Sequence, residues 1–292
     1  MTARRDRLSA WLLLVPLLVI MLAVTAYPLI RTLLLSFTDT GLTGASGDWV
    51  GLDNYRDALS NPDYREAFGH TLYFTAISVT LELVLGVLVG LLLNERFPGR
   101  AFVRALMVLP WALPTIVNAM MWRLILNPDY GALNALLTQF GLIAKYRSWL
   151  GDPATAMNMV ILADVWKNYS LVALIVLAAL QTIPQDLYEA ARLDGAGAWT
   201  RFWRITLPGI LGPLSVALVL RLIEAFKVFD IIYVMTRGGP ADGTKTVSFY
   251  VYQESFTYLH AGSGAAYAVT VACVSGLLIT TYILQLRRQG RG

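Results

Sequence analysis

The chain has 292 residues, of which 57% are hydrophobic and only 14% charged, with a net charge of +4 and a pI near 9.2. So little polar surface excludes an ordinary soluble globule of this length, and the basic residues lie beside hydrophobic runs rather than in an aromatic-interleaved patch, which excludes a nucleic-acid binder. The composition predicts an all-α, polytopic membrane protein whose main solvent is lipid.

A spanning helix needs about 20 predominantly apolar residues, and six windows supply them: roughly 9–36, 70–93, 105–126, 155–182, 209–236 and 263–286. Arg4, Arg5 and Arg7 precede an apolar run from Leu8 to Leu35. That run exceeds a signal-peptide core of about 7–15 residues, so it reads as a retained first helix. In the second window Gly86 and Gly90 form a GxxxG spacing that lets another helix backbone approach, most simply within the protein itself. No window leaves room for a separate soluble domain, so residues 1–292 read as one transmembrane domain.

An even number of spans puts both termini on one side, and Lys and Arg choose which. The N-terminus, the 94–104 and 183–208 loops and the tail carry Arg4, Arg5, Arg7, Arg96, Arg100, Arg104, Arg192, Arg201, Arg204, Arg287, Arg288 and Arg291. The opposite loops, although longer, carry only Arg56, Arg65, Lys145, Arg147, Arg237 and Lys245. The richer set, and with it both termini, is expected in the cytoplasm.

The lone Cys273 has no disulfide partner, and the isolated His70 and His260 lack the clustered spacing of metal ligands. The stretch Gly238–Thr246, GGPADGTKT, approaches a phosphate-binding loop but has Thr244 where Lys must follow the second glycine, and no strand precedes it. The membrane windows themselves contain Glu82, Arg123, Asp164, Lys167, Arg221, Glu224, Lys227 and Asp230. Each costs about 2.5–3.5 kcal/mol to insert, so each needs a partner or a wet cavity. Arg221, Glu224, Lys227 and Asp230 recur every third residue with alternating sign, which allows pairing along one helix. The same groups could instead line a translocation path, and the two readings are compatible. Four acids against four bases favour a neutral solute only weakly; Lys167 and Lys227 are the counter-ions available to an anionic one.

Residues 183–208, IPQDLYEAARLDGAGAWTRFWRITLP, are too polar to span and too structured for a linker. Pro184, Asp186 and Glu189 suit a helix start, Gly195 and Gly197 a turn, and Trp199, Phe202 and Trp203 an aromatic face on a second short helix. Physical chemistry alone leaves two readings open, a docking element and an amphipathic element resting on headgroups.

The order Glu189, Ala190, Ala191, three residues, Gly195, nine residues, Ile205, one residue, Leu207, Pro208 resembles the EAA motif of ABC-importer permeases. With Tyr27–Pro28, the LPWALP of 109–114 and the FDIIYVMTRGGP of 229–240, the resemblance covers most of the chain and points to sugar-importer permeases of the maltose and glycerol-phosphate kind. It implies a coupling helix in the 183–208 loop, with Glu189, Ala190, Ala191, Asp194, Gly195, Ile205, Leu207 and Pro208 as ATPase-coupling positions.

It also implies sugar contacts from three segments, at Trp111, Thr115, Asn168, Leu171, Glu224, Ala225, Lys227 and Val228. Ser170 and Leu171 depart from the Pro and aromatic that relatives often carry there. The implied assembly has a second permease subunit, expected to be a different chain, two ATP-binding subunits and an extracytoplasmic solute-binding protein docked on loops 37–68 and 237–262. It sits in a bacterial cytoplasmic (inner) membrane and works by alternating access. This chain would be no enzyme and bind no cofactor or metal; ATP and Mg would be used by the partner ATPase. The alternative class is an ion-coupled secondary carrier, which would need no ATPase and usually shows inverted repeats that are not visible here.

Overall fold

The computed structural model describes Trp11, residues 14–43 and residues 47–289, with the side chains of the last helix described as far as Thr281. The basic N-terminus carrying Arg4, Arg5 and Arg7, the start of the first window and the tail position Arg291 lie outside the described residues. The protein is helical: α1 is Leu14–Leu35, α2 Asp53–Ser60, α3 Pro62–Asn94, α4 Arg100–Ala112, α5 Thr115–Ile125, α6 Ala132–Gln139 and α7 Pro153–Leu180. There follow α8 Gln185–Leu193, α9 Ala198–Phe226, α10 Asp230–Met235, α11 Val247–Tyr252 and α12 Ala261–Gln289. Five helices, α1, α3, α7, α9 and α12, are long and apolar enough to cross a membrane, and α4 with α5 passes the same test only as a bent pair, the geometry of a broken span or a re-entrant loop.

Two compact units emerge. One comprises the described residues through Arg65 together with Tyr250–Val274. Within it Phe37 stacks on Trp49 at 5.3 Å, and Asn54 donates to the Ser36 and Thr38 carbonyls. Tyr64 stacks on Tyr267 at 4.7 Å. In its α11 segment the Tyr250 hydroxyl accepts from Asn61, and burial pushes its pKa up. The second unit, Glu66–Phe249 with the C-terminal part of α12, holds the main apolar core around Phe74, Val160, Ile161, Ile231 and Ile232.

Gly86 and Gly90 explain how α3 and α7 meet. A Cβ on Gly86 would lie 2.4 Å from Val172 Cγ1, and one on Gly90 would lie 2.7 Å from Val176 Cγ1. The GxxxG spacing is thus spent on packing within the chain. Asp152 caps α7, accepting from the Thr155 amide at 3.1 Å, with Pro153 pre-set for the first turn. Asn134 pins the preceding loop: its amide donates to the Asn127 and Arg147 carbonyls while its oxygen accepts from the Arg147 amide and Trp149 Nε1.

Prolines reshape three of the spans. In α1 and α9 a π-turn, Leu22–Ala26 and Phe202–Thr206, directly precedes Tyr27–Pro28 and Leu207–Pro208. A proline lacks the N–H for the i→i−4 bond, and the widened turn accommodates the gap without breaking the rod. The sequence reading therefore needs correcting at 183–208. Its second helix is not a separate loop element, because Ala198 runs without interruption into the span that ends at Phe226.

In the third window Pro114 does break the helix, while Pro110 lies inside α4. Leu113 is extended, the conformation favoured before proline, and α4 and α5 meet at 97°. The fifth window, expected to run to 236, stops at Phe226; Lys227–Phe229 are non-helical and α10 restarts at Asp230. Gly238–Thr246, the phosphate-loop lookalike, is an internally bonded turn in which the Thr244 amide donates to the Gly238 carbonyl and Lys245 pairs with Asp242 at 2.9 Å.

Candidate functional site

Both breaks open onto one cavity of about 310 Å³ in the second unit. Non-helical backbone at membrane depth is tolerated where it is buried in protein or lines a wet cavity, and the Lys227–Phe229 break meets that condition. Its backbone is held by the Lys227 and Val228 amides, which donate to the Glu224 and Ala225 carbonyls at 3.2 Å, and by Thr246 Oγ1, which donates to the Val228 carbonyl at 3.0 Å.

Trp111 and Thr115, from either side of the α4/α5 bend, line the cavity. So do Asn168 of α7, Glu224 and Ala225 of α9, and Lys227 and Val228 of the break. Leu171, one turn beyond Asn168 on α7, is half-buried and does not line it. Asp164, Lys167, Arg221 and Asp230 also border the space. The sequence carried the signal for these four, since each is an ionisable residue inside an apolar window.

The wall of the cavity is a buried ion cluster. Arg221, only 3% exposed, donates from Nε to Glu82 Oε2 at 2.6 Å and from Nη2 to Glu82 Oε1 at 3.0 Å. Its Nη2 also reaches Asp164 Oδ2 at 3.3 Å, and its Nη1 pairs with Glu224. Asp164 in turn accepts from Asn168 Nδ2 at 2.9 Å. Pairing along α9 thus occurs at Arg221–Glu224 but does not continue to Lys227 and Asp230, because the helix ends between them.

The 183–208 segment forms a second exposed feature. On α8, Glu189 and Ala190 are exposed and Ala191 half-buried; Asp194 ends the helix, and Gly195 follows at φ +75° with open space where a Cβ would stand. Leu193 is 90% exposed and Trp199 73%. Ile205 and Leu207 are half-buried against α7 residues such as Val176 and Leu180, while Pro208, together with Ile205, borders a groove of about 440 Å³ beside α8. The Tyr188 and Thr206 hydroxyls share a hydrogen bond at 3.0 Å that ties α8 to the base of α9. No group of three or more His, Cys, Asp or Glu able to hold a metal occurs among the described residues.

Comparison with known proteins places these features. Residues 82–289 match the family model "Binding-protein-dependent transport system inner membrane component". The chain is 38% identical to the trehalose/maltose transport system permease protein MalF of Thermococcus litoralis, over 98% of this chain and 95% of that one. It is 36% identical to the sulfoquinovosyl glycerol transport system permease protein SmoG of Agrobacterium fabrum, over 97% and 91%. A crystal structure of a bacterial ABC transporter involved in the import of the acidic polysaccharide alginate contains a chain that superposes with a TM-score of 0.86 at 25% identity, covering 99% of both chains. With a family match over more than two thirds of its length and relatives that align almost end to end, the chain belongs to the inner-membrane permease components of binding-protein-dependent ABC transport systems.

Proposed function

We propose that this permease carries a carbohydrate through the cavity bordered by Trp111, Asn168 and Glu224, as half of a pathway completed by a second permease subunit. The observation that carries this reading is the convergence of two broken spans and α7 on one polar space with an aromatic wall. A sugar leaving water needs hydrogen-bond partners for its hydroxyls and an apolar surface for its ring face. Asn168 and Glu224 supply the first and Trp111, 43% exposed, the second. The lining sets Asp164, Glu224 and Asp230 against Lys167, Arg221 and Lys227, a balance suited to an uncharged polyol. Relatives named for trehalose, maltose and sulfoquinovosyl glycerol support the substrate class.

In this reading the exposed α8 and its Gly195 turn dock on one of two ATP-binding subunits, which use ATP and Mg while this chain binds neither. Both termini and this loop face the cytoplasm, as the arginine distribution requires, and a solute-binding protein delivers the sugar on the opposite face. Closure of the ATPase then drives alternating access. The test is purification of the tagged chain with its genomic neighbours, followed by an ATPase assay with sugar-loaded binding protein. A co-purifying ATPase stimulated by one loaded form supports the reading. A chain that purifies alone and carries solute under an ion gradient replaces it with the secondary carrier.

A further inference from the structure

The pathway reading names Asn168 and Glu224 as sugar contacts but leaves open what fixes them. They stand on different helices, α7 and α9; Glu224 is an exposed side chain that water would let wander, and Asn168 is buried except for 6% of its surface. We propose that Arg221 is the positioning residue of this pathway: one guanidinium, anchored by Glu82, sets Glu224 directly and Asn168 through Asp164.

The geometry requires this division of labour. Glu82 on α3 is fully buried and engages Arg221 through both carboxylate oxygens, which fixes the plane of the guanidinium. With that plane fixed, Nη1 is aimed at Glu224, whose side chain is 61% exposed and otherwise unrestrained by any ion pair among the described residues. The remaining reach of Nη2 goes to Asp164 Oδ2, leaving Oδ1 to accept from Asn168 Nδ2 at 2.9 Å. That bond consumes one amide proton of Asn168, so its carbonyl oxygen and second N–H are left for a ligand. Two sugar-facing groups from two helices therefore share a single origin. A lysine in place of Arg221 has one nitrogen and cannot hold three carboxylates at fixed angles.

A merely structural clamp and a positioning residue part company under charge reversal. The complete transporter is reconstituted in liposomes, and trehalose and maltose moved per ATP hydrolysed are measured for wild type, R221Q and the double variant E82R/R221E. The swap restores the ion pair between α3 and α9 but puts a carboxylate beside Asp164 and Glu224. We expect it to recover the yield of assembled complex lost in R221Q, while both variants move about tenfold less sugar per ATP, the worth of one charge-assisted hydrogen bond.

A swap that restores transport together with assembly overturns the proposal. The inference rests on the carbohydrate reading, and the two fail differently. If the assembled wild type hydrolyses ATP but moves neither sugar, the carbohydrate reading fails and exchange of the Asn168 side-chain amide, followed by NMR in purified wild type and R221Q, decides this one. Exchange about tenfold faster in R221Q, with backbone exchange unchanged, upholds the positioning role on the same scale; an unchanged Asn168 signal ends it.

Discussion

Arg221 and Glu82 meet through two hydrogen bonds, at 2.6 and 3.0 Å, in a site where Glu82 has no exposed surface and Arg221 almost none. Arg221 also pairs with Asp164 and Glu224, so Glu82→Leu leaves it two carboxylates, whereas Arg221→Met strands Glu82 and Asp164 as buried charges, at a cost of about 3–5 kcal/mol. Arg221→Met should therefore lower the thermal midpoint of the purified protein far more than Glu82→Leu. Equal losses in the two variants would count against this.

Gly86 has no space for a methyl group because Val172 occupies it. Gly86→Val should destabilise the protein by about 1–3 kcal/mol through overpacking. Trimming the opposing side chain with Val172→Ala should return most of the loss, as read by thermal unfolding in detergent.

Gly195 presents the opposite case, with open space around it and a positive φ of +75°. Gly195→Ala costs about 1 kcal/mol of backbone strain in such a conformation. Gly195→Trp should leave membrane insertion intact while abolishing uptake, measured as transport by variants of equal membrane yield; normal transport with normal ATPase stimulation would sink the coupling role of α8.

Asp152 accepts from the Thr155 backbone amide and hydroxyl, which holds its carboxyl below the usual Asp range. A depressed folded-state pKa gives stability that is complete above the ordinary Asp value of about 4 and is lost as pH falls through the folded value. The thermal midpoint should accordingly fall on acidification below that value, and Asp152→Asn should flatten this part of the profile.

Asn134 is fully buried and satisfies all four of its hydrogen-bonding positions. Asn134→Ala leaves the Arg147 amide and the Trp149 indole N–H without their acceptor, at about 1–3 kcal/mol. Limited proteolysis between Asn127 and Asp152 should accelerate in this variant while cleavage elsewhere is unchanged.

The membrane windows were legible because a run of some 20 apolar residues admits few other fates. Seven of the eight expected pathway residues border one cavity; six of them fall in 109–115 and 224–228, at the two helix breaks, and Asn168 lies on α7. The first break was written in Pro114. The second, at Lys227–Phe229, was not, since it contains neither proline nor glycine and is held by Thr246 from 18 residues away.

The choice of partners for Arg221 was equally hidden. Spacing along α9 pointed to Glu224, but Glu82 and Asp164 lie 139 and 57 residues distant and only tertiary packing brings them in. The continuity of α9 was hidden too, since nothing local announces that a π-turn will carry the helix through Pro208.

That continuity has a mechanical meaning. A helix of the 29 residues from Ala198 to Phe226 is a rod about 40 Å long, with Trp199 near one tip and Glu224 near the other. A flexible joint would dissipate a push at the first tip; an uninterrupted rod delivers it to the second. A force applied at Trp199 would therefore reach the cavity as displacement, with give along the way at the widened turn of Phe202–Thr206 and at Pro213 inside the helix.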